Sequence, residues 1–334
     1  MKLSALDNYE CPSCHSDALS TEETMHGDVD VTDTNLTCTS CGQAYAVLNG
    51  IPRFVPANNY ATSFGYQWNI HRRSQLDSYT KLPITRNRLF GVTEWPERMD
   101  GQRVLEAGSG AGRFTEILVS TGATVFSFDY SSAIDANHAN NGHAQNLNLF
   151  QGDIFNIPLR KGSFDKVMCL GVIQHTHDPK KGFINLAEMV RPGGELVIDA
   201  YTRSLVSLLQ WKYVLRPITM RMKQETLYSI ISKAAPPLVP ITKFLRKIGG
   251  RMGARLSPIC EYSYLGLPPE INRDWAILDT FDMYSPAHDH PQSIASVTRW
   301  FVEAGFQDIK VAVGPNGVVG KGQRPTAPIH SNPR

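Results

Sequence analysis

The chain has 334 residues, 42% hydrophobic and 19% charged, a composition that excludes disordered and fibrous classes and suits one large domain with an appendage. Residues 1–7 hold no apolar run of the signal-peptide kind, and the richest apolar stretch, 204–211, is far short of the roughly 18 residues a spanning helix needs. The expected compartment is therefore the cytoplasm. A net charge of +2 hides an asymmetry. Residues 202–260 carry eleven Lys/Arg and one acid, Glu225, which leaves 22 basic and 30 acidic residues elsewhere, a net of −8.

Residues 1–56 hold two CxxC pairs, Cys11/Cys14 and Cys38/Cys41, separated by 23 residues. Without a secretory signal, paired cysteines read as metal ligands before disulfides. Each pair can form a knuckle on one tetrahedral ion, and Gly42 closes the second turn. Four cysteines leave no open coordination position, so the expected zinc is structural. A hairpin tip over residues 22–33 absorbs the long spacing. Residues 57–100 form an aromatic-rich connector or lid with Tyr60, Phe64, Tyr66 and Trp68.

Residues 101–201 alternate short apolar runs with helical patterns, the rhythm of βαβ units. Strands are expected over 103–105, 123–128, 147–151, 164–170 and 195–199. Helices are expected over 113–121, after Ser131 or Ser132 as cap, and over 179–190, stopped by Pro192, Gly193 and Gly194. Residues 202–275 form a basic helical cap insertion. Residues 276–323 return to the core, with an amphipathic helix over 294–304 and a hairpin of 307–313 with 318–323. The tail, 324–334, reads as disordered. The fold class is α/β, a doubly wound, mostly parallel seven-stranded sheet with an antiparallel edge hairpin.

A glycine turn, Gly108, Gly110 and Gly112, separates the first strand from the first helix. A dinucleotide fingerprint would put its third glycine where Arg113 stands. Instead an acid, Glu106, precedes the turn, which favours a ligand carrying an ammonium and a sulfonium over a pyrophosphate. Asp129 ends the second strand, where a carboxylate can accept ribose hydroxyls, and Asp153 follows the third. Three acids after three successive strands form a specific set; the bland alternative is that each caps the next helix.

These stretches resemble the class I S-adenosylmethionine (SAM)-dependent methyltransferases, especially the branch of ubiquinone and menaquinone biosynthesis. The resemblance covers about a third of the chain and implies SAM as cofactor, held by Glu106, Gly108, Gly110, Gly112, Asp129, Tyr130, Asp153 and Ile154, with Leu170 facing the methionine end. Residues 11–54 are similar to the zinc-ribbon subunits that activate tRNA and rRNA methyltransferases, which implies a scaffold or recognition role. A general base for a hydroxyl acceptor could come from His175 or His177, or from His288 or His290; a structural role for His175 and a surface loop for the last two are the alternatives. The Asn/Asp-Pro-Pro-aromatic motif of amino-group methylation is absent at 170–173.

The expected activity is methyl transfer to a small-molecule acceptor, chiefly O-methylation of a sugar, quinone, polyketide or lipid-linked intermediate. An RNA methyltransferase gripping its substrate through the ribbon and a non-catalytic SAM-binding activator subunit are the alternatives. The basic insertion over 202–260 has three readings: a helical cap, a peripheral contact with anionic lipid on the inner face of the membrane, or a surface for RNA phosphates. The acidic remainder of the chain argues against broad nucleic-acid contact.

Overall fold

The computed structural model describes residues 1, 3–21, 32–56, 59–203 and 210–326. Most of the expected ribbon tip, Leu208 and Leu209 of the insertion, and residues 327–334 lie outside them. Four short antiparallel strands, β1 (Leu19–Thr21), β2 (Thr34–Cys38), β3 (Ala44–Leu48) and β4 (Ile51–Pro52), make the N-terminal ribbon sheet. Three helices follow: α1 (Thr62–Ile70), α2 (Asp77–Thr80) and α3 (Ile84–Thr93).

The main sheet takes β5 (Arg103–Ala107), β6 (Thr124–Asp129), β7 (Leu147–Gln151), β8 (Phe164–Leu170) and β9 (Val190–Ala200) in parallel. These strands are buried on both faces by helices, so their apolar runs are nearly continuous. The crossover helices are α4 (Arg113–Val119), α5 (Ala133–Asn141) and α6 (Pro179–Met189). Asp178 starts α6 by accepting from the Lys181 amide, with Pro179 in the first turn. Spatial order is β10-β11-β9-β8-β5-β6-β7, where β10 is Gln307–Val313 and β11 is Val318–Gln323. The order reverses between β5 and β8, and a crevice opens at their carboxyl ends.

The expected antiparallel hairpin stands at one edge of the sheet, with β10 outermost and β11 between it and β9. Two expectations change. The fifth parallel strand starts at Val190 and runs through Pro192, Gly193 and Gly194, with the irregularity absorbed as a register shift against β8 between Phe164 and Lys166. Arg324 is anchored, its amide donating to the Gly194 carbonyl and its guanidinium to that of Val190.

The insertion forms α7 (Trp211–Thr219) and α8 (Gln224–Ala254), and α9 (Pro269–Tyr284) packs against α8. A boundary at 275 thus falls inside a continuous helix, because Trp275 to Phe281 carry the buried face of α9 through it. The chain then returns through α10 (Ile294–Glu303), begun by a capping box of Ser293 and Ser296. Among the described residues no helix is long and apolar enough to cross a membrane.

The ribbon shares the main core. Tyr9 and Phe54 pack edge-on against Phe150 of β7, centroids 5.6 and 6.2 Å away. The Phe54 amide donates to the Gln151 carbonyl, and Arg53 pairs with Asp135 at 2.5 Å. The ribbon therefore covers the free edge of β7. The Tyr9 hydroxyl is buried there without a partner, and burial pushes its phenol up. Tyr9→Phe removes an unsatisfied polar atom and is expected to leave stability unchanged or raise it by about 1 kcal/mol, whereas Tyr9→Ala costs about 3–5 kcal/mol. Thermal unfolding of the two variants against the parent checks both.

Candidate active site

The carboxyl ends of β5, β6 and β8 open into a cavity of about 910 Å³, roofed by α1, α3 and the insertion. Its inner wall is the glycine turn. Gly108 has φ +77°, and a Cβ there would lie 2.3 Å from Val172, so only glycine lets β5 turn beside β8. Asp129 holds this turn. One carboxylate oxygen accepts from the Gly110 amide at 2.9 Å, and the other accepts from the Ser131 amide and hydroxyl. Burial pushes the carboxyl up, opposed by those bonds. Trp68 of α1 lies over the turn.

Of the residues singled out in sequence, Gly108, Gly110, Asp129, Tyr130, Ile154, Leu170 and His175 line the cavity. Glu106, Gly112, Asp153, His288 and His290 do not. Glu106 turns inward between β6 and α4, where it accepts from Thr115 (2.5 Å) and Ser127 (2.8 Å). Gly112 starts α4 against Asn137, whose amide oxygen a Cβ would meet at 2.1 Å. Asp153 closes its own turn by accepting from the Phe155 amide at 2.8 Å. Along the extended run 288–290 side chains alternate, so Asp289 faces the cavity while the two histidines face away.

His175 is buried at the cavity wall, its ring between Phe64 (5.2 Å) and Tyr201 (5.3 Å). Its Nδ1 lies 3.0 Å from the His288 carbonyl, which can only accept, so Nδ1 carries the proton. Nε2 is buried with no partner among the described residues, its lone pair free. Burial holds this imidazole below the ordinary range, against the pull of Asp282.

Several wall residues carry no sequence signal of their own. Asp279 and Asp282, one turn apart on α9, face the cavity with Tyr201 and Tyr262. Asp282 accepts from Gln67 (3.0 Å) and Tyr201 (3.2 Å). Burial pushes the Asp279 carboxyl up to about 6. Lys212 of α7 lies 2.8 Å from Asp289, both buried. Behind the wall, Asp199, the penultimate residue of β9, accepts from Arg88 at 2.7 Å and from the Gly171 amide.

Away from the cavity, the four ribbon cysteines converge. Their sulfurs all lie within 4.8 Å of one another, with Cys11–Cys41 and Cys14–Cys38 at 3.6 Å and no disulfide. Zinc–sulfur bonds of about 2.3 Å put tetrahedral ligands about 3.8 Å apart, so the donor set fits that ion.

Residues 105–198 match the family described as a methyltransferase domain. The core is a methyltransferase domain. Within the chain, 113 residues are 29% identical to the ubiquinone biosynthesis O-methyltransferase of Coxiella burnetii, covering 33% of this chain and 48% of that protein. The Acinetobacter baumannii enzyme of the same name is 28% identical over 137 residues, covering 39% and 58%. The chain thus spans about half the length of these curated relatives. Among solved structures, a complex containing the Haloferax volcanii Trm112 methyltransferase activator aligns with a TM-score of 0.45 and 13% identity, over 78% of this chain and 97% of that one.

The inward turn of Glu106 has a consequence for the methyltransferase domain. Burial raises its carboxyl from 4.5 to about 7, opposed by the Thr115 and Ser127 bonds. A folded value above the unfolded one means stability is full below pH 4.5 and is lost as pH rises through 7. Glu106→Gln removes that loss. Its melting temperature should match the parent's near pH 4.5 and exceed it at pH 8, a gain on the order of 2–3 kcal/mol.

Proposed function

We propose that the chain is a SAM-dependent methyltransferase that O-methylates a polar, hydroxyl-bearing small molecule, with His175 as general base and a structural zinc in the ribbon. The observation that carries the reading is the free, buried Nε2 of His175 on the wall of the cavity that also holds the glycine turn and Asp129. SAM, when bound, supplies an electrophilic methyl carbon on a sulfonium leaving group.

Gly108, Gly110 and Leu170 offer close backbone approach, and Asp129 keeps lone pairs for ribose hydroxyls. Tyr130 and Ile154 border the adenine end. His175 Nε2 takes the acceptor's hydroxyl proton and so leaves its oxygen as the nucleophile; bound SAM would supply the methyl group and its sulfur would keep the displaced electron pair. Alignment on a rigid wall contributes much of the acceleration, since the displacement needs an in-line approach. The acceptor end is lined by Asp279, Asp282, Tyr201 and Tyr262, which favours several hydroxyls over a flat apolar ring.

The RNA reading finds no comparable support, because none of the described residues of 1–56 lines the cavity. The ribbon's merger with the core supports a stabilising role.

Two measurements test the assignment. Asp129→Ala should weaken SAM binding about 10- to 100-fold by calorimetry, from loss of charge-assisted bonds of roughly 1.5–3 kcal/mol, while one zinc per chain remains by metal analysis. Unchanged affinity would remove the ribose assignment. His175→Ala should lower kcat about 10²–10⁴-fold with SAM affinity intact. In the parent, the acid limb of the rate profile should fall below the ordinary histidine value of ~6.5 and vanish in the variant.

A further inference from the structure

The outer rim of the cavity is built by α7 and the end of α8, which contribute Lys212, Tyr213, Arg216, Arg251 and Arg255. Beyond that rim the surface changes character. Of eighteen large apolar side chains exposed among the described residues, ten fall between residues 211 and 256. Monomeric surfaces seldom gather apolar side chains so densely without a partner.

Their spacing is helical. On α7, Trp211, Val214 and Ile218 recur at i, i+3 and i+7; on α8, Ile241, Phe244 and Ile248 do the same. A different face of α8, near its start, buries Leu227, Ile231 and Ala235 in one cluster with Ile277 and Phe281 of α9. At Gly250 (φ 57°, ψ −141°) the chain folds back, and the Trp211 indole donates to the Leu256 carbonyl at 3.0 Å. That bond ties the start of α7 to the segment that follows the fold-back.

Cations flank the stripe. Lys243 and Lys247, one turn apart, lie along its side before the fold-back, and neither has an acidic partner among the described residues. The only acid between residues 202 and 260 is Glu225, at the far end of α8.

We propose that this face of α7 and α8 docks on an anionic lipid bilayer, with the apolar stripe in the headgroup boundary and the cavity mouth at the membrane surface. An interfacial helix needs this combination: a narrow apolar stripe, basic residues beside it, and no acid. Long lysine and arginine stems lie along the apolar boundary while their heads reach phosphates. A second copy of the chain fits poorly, since a two-fold contact sets each cation row against itself. RNA fits poorly too, because bases stack on aromatic rings, and the stripe is mainly aliphatic. The proposal does not rest on methyl transfer.

Cosedimentation of the full chain with vesicles tests it. Vesicles of phosphatidylcholine mixed with phosphatidylglycerol should bind the protein, phosphatidylcholine alone much less, and added salt should weaken the binding. Lys243→Gln with Lys247→Gln should cut partitioning about 25-fold, roughly fivefold per charge removed. Phe244→Asp with Ile248→Asp should abolish it even at low salt. All four positions are exposed, so melting temperatures should stay at the parent value. No binding to anionic vesicles overturns the proposal. So does an apolar double variant that binds like the parent, or a dimer by sedimentation equilibrium that this variant dissociates.

Discussion

The carboxylate of Asp129 sits where β6 ends and takes three hydrogen bonds within a few ångströms. It holds the glycine turn through Gly110 and, through Ser131, the entry to α5, where the Ser131 hydroxyl in turn accepts from the Ala133 amide. Burying a carboxylate is costly unless its lone pairs are met, and here three are met by the groups that shape the cavity. A parallel sheet can only open a crevice where its strand order reverses, so this single side chain stands at the one place where the order permits a ligand.

The opposite edge of the sheet meets a different constraint. β7 ends the parallel run with a free edge, and a free edge invites pairing with other chains. The ribbon covers it, and the packing of Tyr9, Phe54 and Phe150 makes one core of what would otherwise be two small ones. A module of some fifty residues buries too little surface to stand alone. Four thiols around one point and a shared aromatic core solve that problem together, and they do so far from the cavity.

The third element, the insertion, completes the cavity from outside. α9 turns Asp279 and Asp282 inward while its other side buries Phe281 and Ile277 against α8. The same helices thus present acids to the interior and an apolar, cationic face to the exterior. Charge is sorted by face: the acids are buried with tyrosines and the Lys212–Asp289 pair, and Lys243, Lys247 and Arg251 remain outside.

Local pattern was enough to place the alternating strands and helices, the closing hairpin, the glycine turn and the four-cysteine cluster, because each depends on periodicity or on fixed spacing along the chain. Asp129, at the end of a strand, and His175, in the turn that follows one, could be named for the same reason, because the pattern determines where those strands run. What needed the folded chain was direction. Whether Glu106 faces a ligand or the core depends on which helix crosses behind β5, and whether His288 or Asp289 enters the cavity depends on the phase of an extended run. Trp68, Asp279 and Asp282 join the wall from helices tens or hundreds of residues away from the turn, and no spacing rule reaches across such distances. The stripe on α7 and α8 was present in the residues as a basic, apolar segment, but only packing against α9 decided which of its apolar side chains would be left facing out.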